Sequence, residues 1–319
     1  MDRAIGIDTG KYMTKAAMRR TDGSDKLLEF RTKVDHLDMD GSSLLNPAES
    51  HTVILDGQRY VVGQSAHSSD VKETTKASDI HRIAAYTAVA LLVDNGDVVD
   101  LVVGCPLSVY ASREKAEAFQ KYIFPNGKFV EIEVDGVQKS FTIRRAMVMP
   151  EGSGAILLDP VRCATGICGI VDIGGLNCNC AMFRNGYPVL RSMFTNNHGG
   201  NELNTTIRRK LQSALEIDLM DEVLEQDILQ GYDLADREKS ARIISDCKAA
   251  QVEKIITACQ EADWPIRSMP MIFIGGTSYL LKDEILRQVP SVRAEDIRED
   301  VRYINVRGFL TVLAGGGAS

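Results

Sequence analysis

Two aspartates in this 319-residue chain have matched surroundings. Ile7-Asp8-Thr9-Gly10 runs on to Ala17-Met18, and Val171-Asp172-Ile173-Gly174 runs on to Ala181-Met182. In both copies a glycine follows the aspartate by two residues, and the Ala-Met pair stands at the same offset. Each aspartate ends an apolar, strand-like run, so its carboxylate is offered at a strand end as a hard oxygen toward Mg2+, usually through the ion's waters. The glycine lets backbone N–H groups approach a phosphate with no Cβ in the way. Successive N–H groups in such a turn make an anion-binding concavity. Lys15, seven residues after Asp8, can reach back to a β- or γ-phosphate as a point charge. A single Asp-x-Gly is usually no more than a turn after a strand. The pair, with matched flanks about half a chain apart, reads as two related domains that face one another and clamp a triphosphate from both sides.

Other segments can serve the same chemistry. Glu151 follows an apolar strand and Pro150 and precedes a helical stretch. A carboxylate there either orients an attacking water or is simply an acid favoured at a helix N-terminus by the macrodipole. Ile272-Phe273-Ile274-Gly275-Gly276-Thr277-Ser278 is a strand, a Gly-Gly and a helix start. It suits close backbone approach to a ribose or adenine, or a plain tight strand–helix turn. His198-Gly199-Gly200-Asn201-Glu202 opens a helix in a similar way. No G-x-x-x-x-G-K-[ST] and no G-x-G-x-x-G occurs, which argues against a P-loop NTPase and a dinucleotide fold.

The elements that must position these residues follow from the pattern. Ala4–Asp8, Met13–Arg19 and Leu27–Val34 read as three strands, and Asp35–Ser50 as a polar loop. Thr52–Leu55 and Arg59–Gly63 flank an Asp-Gly turn, as do Phe129–Val134 and Lys139–Ile143. Asp79–Asp94 and Ser112–Tyr122 have helical periodicity. Val98–Cys105 has the near-continuous apolar run of a strand buried on both faces. Arg145–Met149 is a strand leading into Pro150-Glu151-Gly152, and Ser153–Leu158 a short helix. The second half repeats the opening: strands Gly169–Asp172, Cys178–Phe183 and Val189–Phe194, then helices Glu202–Leu215 and Asp236–Glu261. Strand Pro270–Ile274, helix Leu280–Val289 and a closing helix Val306–Leu313 complete an α/β class with mixed sheets.

Bulk composition narrows the function. Hydrophobic residues are 44% and charged residues 25%, enough for two domain cores. The net charge of −7 disfavours direct binding to DNA backbone or an anionic membrane. If the protein works with DNA, an adaptor intervenes. No apolar run approaches the roughly 20 residues of a membrane span. Met1-Asp2-Arg3 reads as no signal peptide, and the Gly-rich C-terminus as no amphipathic anchor. Seven cysteines without C-x-x-C pairs read as reduced buried thiols, with a metal or redox role as the lesser alternative, and Cys178 and Cys180 fall on one strand face.

In this order the segments resemble the actin, sugar-kinase and heat-shock ATPase superfamily, and within it the plasmid-segregation actins of the ParM type. Asp8-Thr9-Gly10-Lys11-Tyr12-Met13-Thr14-Lys15 looks like the first phosphate motif. Asp172-Ile173-Gly174-Gly175-Leu176-Asn177 looks like the second. Met149-Pro150-Glu151-Gly152 resembles the first connecting element and the last helix, with Gly308, the second; Gly275-Gly276-Thr277 resembles the adenosine motif. The resemblance implies two similar actin-like (ribonuclease H-like) domains around a nucleotide cleft, with mixed five-stranded sheets flanked by helices. It implies a domain I over 1–165 with a small insert over about 31–80 and a closing helix at 305–319, and a domain II over 166–304. Mg-ATP (or GTP) binding and hydrolysis-coupled filaments, for plasmid DNA segregation in the cytoplasm, are implied too. Partners would be further copies of the chain and a DNA-binding adaptor, with no membrane. Glu151 falls on the water-positioning role, Asp8 and Asp172 on magnesium and water, and Lys15 on the phosphate-binding lysine. Gly199 and Gly200 fit the same nucleotide site. Lys11 stands where relatives have a small residue, and Asn177 and Asn179 where many have Thr or Ser and Asp. A sugar-type kinase on the same fold is the alternative. A chaperone ATPase lacks its peptide-binding domain here, and a membrane-tethered division actin lacks its anchor.

Overall fold

The computed structural model describes residues 1–37, 49–69, 75–163, 166–219 and 236–315. The chain divides into two compact units, Met1–Pro160 with Tyr303–Ser319, and Val161–Arg302. Strands of the first unit are β1 (Asp2–Thr9), β2 (Met13–Arg19), β3 (Asp25–Arg31), β4 (Val34–His36), β5 (Ser50–Leu55), β6 (Gln58–Gly63), β7 (Asp97–Cys105), β8 (Lys128–Val134) and β9 (Val137–Pro150). Its helices are α1 (Asp79–Leu92), α2 (Leu107–Tyr110), α3 (Arg113–Ile123), α4 (Gly154–Leu158) and α9 (Ile304–Gly315). The second unit carries β10 (Ile167–Ile173), β11 (Cys178–Arg184), β12 (Tyr187–Pro188), β13 (Phe194–Asn196) and β14 (Met271–Ile274). Helices α5 (Gly200–Leu215), α6 (Arg237–Glu261), α7 (Gly276–Leu280) and α8 (Lys282–Gln288) flank them.

The sheet of the first unit runs β3-β2-β1-β7-β9-β8-β5-β6-β4. It is wider than the five strands expected, because β8 continues pairing into the β5–β6 hairpin and β4. At its centre β1, β7 and β9 are parallel. Their C-terminal ends, where Asp8 and Glu151 lie, therefore share one sheet edge, the edge at which open α/β sheets receive ligands. Alternation along β1 sorts the faces. Ile5 and Ile7 join the core that includes Ile83, Tyr86 and Val89 of α1, while Gly6 faces α9. The polar loop expected over Asp35–Ser50 is mostly outside the described residues; only β4 and the start of β5 are seen there.

Helix α9 docks by close backbone approach. A Cβ on Gly308 would stand 2.3 Å from the Gly154 carbonyl oxygen, and one on Gly154 would stand 2.4 Å from the Asn305 Cα. With no side chain at either position the α4 and α9 backbones touch, and Val306, Phe309 and Leu310 are buried. A fully buried side chain of that size contributes about 1.5–3 kcal/mol.

Three Asp-Gly or Asn-Gly turns take left-handed conformations at both residues: Asp56-Gly57, Asp135-Gly136 and Asn185-Gly186. This is the twist that two-residue hairpins need. The two strands expected at Lys139–Ile143 and Arg145–Met149 form one strand, β9, with an irregularity opposite Val99 and Asp100. The extra residue brings Arg144 and Arg145 together onto the buried Asp100, at 2.8 and 3.1 Å. Their ion pairs hold the Asp100 carboxyl below the usual range.

The sheet of the second unit has five strands, with β12-β11-β10-β14 in order and β13 also paired to β11. The single strand expected at Val189–Phe194 is broken. Val189 still donates its N–H to the Met182 carbonyl at 2.8 Å, and a 3-10 turn then occupies Leu190–Ser192. The Ser192 hydroxyl then takes the Met182 N–H at 2.9 Å in place of a strand carbonyl.

Candidate functional site

The two Asp-x-Gly hairpins have one register. Asp8 pairs with Lys15 and Thr9 with Thr14. Asp172 pairs with Asn179 and Ile173 with Cys178. Each hairpin therefore closes through four residues, 10–13 and 174–177, and the residue seven after each aspartate stands directly across the ladder on the same face. Lys15 thus shares a face with Asp8, as expected of a lysine reaching back. Thr9 is fully buried on the opposite face, so only its backbone is at the site.

Around Asp8 the first unit gathers charge. Glu151 follows β9, and its N–H bonds the Cys105 carbonyl at the end of β7 at 2.9 Å. Lys76, just before α1, donates to Glu151 Oε1 and lies 3.9 Å from Asp8 Oδ1. Asn305, opening α9, accepts from the Gly152 N–H and donates to Asp8 Oδ2, both at 3.2 Å. Lys76, Glu151 and Asn305 are 5%, 6% and 6% exposed, so these charges and dipoles act in a low-dielectric setting. Burial pushes the Glu151 carboxyl above the ordinary range; the Lys76 ammonium opposes this and the Asp8 carboxylate reinforces it. Lys11 adds a further positive charge toward Glu151. The Tyr12 ring lies under the Arg31 guanidinium, 3.4 Å from its centroid, and the Tyr12 carbonyl takes the Thr32 N–H at 3.0 Å. These contacts pin the loop that Gly10 opens.

The second unit supports its loop with neutral groups. Asn177 donates to Asn179 Oδ1 at 3.3 Å, and Thr195 donates to the same oxygen at 2.8 Å. The N–H groups of Gly200 and Asn201 go to the carbonyls of Gly174 and Gly175, at 3.0 and 2.7 Å. Gly200 and Asn201 thereby tie the start of α5 to this loop. Thr277 ties in from α7, its hydroxyl donating to the Gly174 carbonyl at 3.0 Å. Gly275 has φ +89, and a Cβ there would meet the Ile173 carbonyl at 2.4 Å and Asp172 Oδ1 at 2.5 Å. The glycine is required for β14 to end against the Asp172 strand. Gly276 follows it into α7. Leu176 is half-buried at the loop tip.

Glu202, four residues into this region, gathers His198 and Lys254 at 2.7 and 2.8 Å. Burial alone would raise its carboxyl; bonds from Lys254, His198 and Gln251 bring it below the usual range.

Magnesium can be tested against these residues. Asp8 Oδ1 is buried and has no hydrogen-bond partner, which fits a carboxylate oxygen meant for an ion's water. Among the described residues no three His, Cys, Asp or Glu converge as a direct metal cluster.

The cysteines depart in part from expectation. Cys105, Cys178, Cys180, Cys247 and Cys259 are free and buried, and the Cys178 and Cys180 sulfurs share a strand face 3.6 Å apart. Cys168, however, is disulfide-bonded. No helix among the described residues is long and apolar enough to cross a membrane.

Sequence reading missed Lys76 and Asn305. Neither sits in a recognisable motif; the only sequence hint was the position of each at the start of a helix. Both are brought to Asp8 by the packing of α1 and α9 on opposite faces of one sheet.

Comparison with known proteins accords with this geometry. Residues 6–154 match the family of actin-like protein N-terminal domains. No curated protein matches the chain significantly. Among solved structures, that of an Alp12 filament is 25% identical, with 99% of each chain covered and a TM-score of 0.73. Ta0583, an archaeal actin homologue solved with ADP, is 17% identical over 98% of this chain and 99% of its own, with a TM-score of 0.73. Apo ParM of pSK41 is 16% identical over 99% and 98%, with the same TM-score of 0.73. Residues 6–154 thus match the N-terminal domain of actin-like proteins, and the chain shares the fold of actin-like proteins along its whole length.

Proposed function

We propose that this chain is a nucleotide-hydrolysing, filament-forming actin-like protein that uses Mg-ATP (or GTP). The observation that carries the reading is the pair of hairpins in identical register, one of them beside the buried Glu151. Each unit contributes one hairpin to nucleotide handling. In the first, the loop opened by Asp8, Thr9 and Gly10 and carrying Lys11 and Tyr12 supplies N–H donors, and Lys15 supplies charge to the phosphates. In the second, the loop of Asp172, Gly174, Gly175, Leu176 and Asn177 does so, braced by Gly199 and Gly200. Gly275, Gly276 and Thr277 serve the nucleoside. Asp8 and Asp172 hold magnesium through water; the ion, when bound, neutralises phosphate charge. Glu151 orients the attacking water, and its raised proton affinity suits a group that must also accept a proton.

Triphosphate binding favours the polymer-competent state, and loss of the γ-phosphate removes that differential stabilisation. Head-to-tail contacts between copies then give an open helix. The Alp12 structure being a filament supports self-assembly. The ADP complex of Ta0583 supports nucleotide use. Partition of plasmid DNA through an adaptor, in the cytoplasm, is the cellular role that the resemblance of the sequence motifs to ParM-type actins implies. The test is sedimentation with ATP, with ADP and without nucleotide, alongside phosphate release. ATP-dependent pelleting with hydrolysis is expected. A chain that stays in the supernatant in all three conditions, yet phosphorylates a sugar, would overturn the reading in favour of a kinase.

A further inference from the structure

Lys76, outside both Asp-x-Gly loops, stands between Asp8 and Glu151. Lys76 is 5% exposed and holds a left-handed backbone, φ 57. Its ammonium bonds Glu151 and stands 3.9 Å from Asp8 Oδ1, the buried oxygen with no hydrogen-bond partner. Three features set this pair apart from an ordinary internal ion pair. It engages Glu151, the carboxylate to which the proposed function assigns the attacking water. It sits at the C-terminal edge of the parallel strands, where Asp8 and Glu151 converge. Its cation is a four-carbon, freely rotating ammonium rather than a rigid guanidinium, so the charge can move between acceptors.

We propose that Lys76 is a positioning residue that latches Glu151 in the nucleotide-free chain and is drawn off by the terminal phosphate of a bound triphosphate. This inference rests on the nucleotide reading of the site given above. A γ-phosphate offers the ammonium a stronger set of acceptor oxygens than one carboxylate oxygen. Glu151 is then freed for water only when there is a phosphate to cleave. ADP lacks that phosphate and leaves the latch shut.

The competition gives opposite signs for the two partners, which a merely structural ion pair does not. Lys76→Met removes the group that meets the γ-phosphate, so ATP affinity falls about tenfold while ADP affinity stays within about twofold. Glu151→Gln weakens the competing acceptor, so ATP affinity rises about threefold with ADP again unmoved. Lys76→Arg keeps the charge and restores most of the ATP preference. Affinities are read by calorimetry on the full chain with ATP and ADP, each with Mg2+, under conditions that block assembly.

Lys76→Met leaves Glu151 buried without its ammonium, and can fail to fold. The double variant Lys76→Met/Glu151→Gln removes both charges together and decides the matter in that case, with lost ATP-over-ADP preference supporting the latch. Equal weakening of both nucleotides by Lys76→Met and Glu151→Gln, or an unchanged preference in the double variant, overturns it. A wild-type chain that binds neither nucleotide overturns the proposed function itself, which separates the two failures.

Discussion

The two hairpins share a backbone and differ in what stands across the ladder from the aspartate. In the first unit that residue is Lys15, and the neighbourhood holds Lys76, Glu151 and Asn305. In the second it is Asn179, tied to Asn177 and Thr195, and the loop is braced by main-chain bonds from α5 and a hydroxyl from Thr277. The same turn thus has a lysine across from its aspartate in the first unit and an amide in the second. Holding an anion needs only oriented donors, which any sequence with the right glycines can supply. Cleaving a bond needs a carboxylate of controlled charge, and that takes burial and a counter-ion.

The sharpest way to break this contrast is Glu151→Ala. Turnover should fall on the order of 100-fold or more, the usual weight of a proton-accepting group, with nucleotide still bound. A normal phosphate-release rate would mean that the charged cluster of the first unit is not where chemistry occurs. Next comes the residue across the ladder. Lys15→Asn should weaken ATP binding about tenfold through loss of one charge-assisted bond, whereas Asn179→Ala should change it less than about threefold. Equal losses in titration calorimetry would erase the proposed division of labour.

Glycine replacements sharpen the comparison at the level of packing. Gly308→Ala drives a methyl into the Gly154 backbone and should cost about 1–3 kcal/mol in urea unfolding. In the second unit, Gly169→Ala meets side chains rather than backbone, Met269 Cε and Met271 Sδ at 2.7 Å and the Trp264 ring at 2.8 Å, and should cost less. The reverse order would show that α9 tolerates displacement.

The smallest effect expected is on acid stability. Burial alone would raise the Asp97 carboxyl, but bonds from the Met1 ammonium and Arg3 bring it below the usual range. A depressed carboxylate stabilises the fold above its unfolded value and loses that contribution as pH falls through its folded value. Asp97→Asn should therefore lower Tm at neutral pH and flatten its decline below about pH 4. A Tm–pH curve parallel to wild type would remove Asp97 from the acid response.

Much of this was legible in the chain. The Asp-x-Gly pairs marked both hairpins because strand ends and glycine turns are local features. The two Asp-Gly turns fell where expected for the same reason. What escaped was set by distance. Asn305 lies 297 residues from the aspartate it contacts, and Lys76 lies 75 from Glu151; no spacing rule reaches across such gaps. The bulge in β9 left no trace at all, because two adjacent arginines look like any exposed pair until Asp100 is seen between them.

The bond from Asn305 to Asp8 also bears on how the protein is made. During synthesis β1 emerges early, while α9 emerges only after all of Val161–Arg302 has been translated. At typical elongation speeds of roughly 5–20 residues per second, Asp8 must wait many seconds for its amide partner. A ribosome-bound nascent chain would thus carry β1 to β9 without α9, and Asp8 without Asn305, until translation is nearly complete.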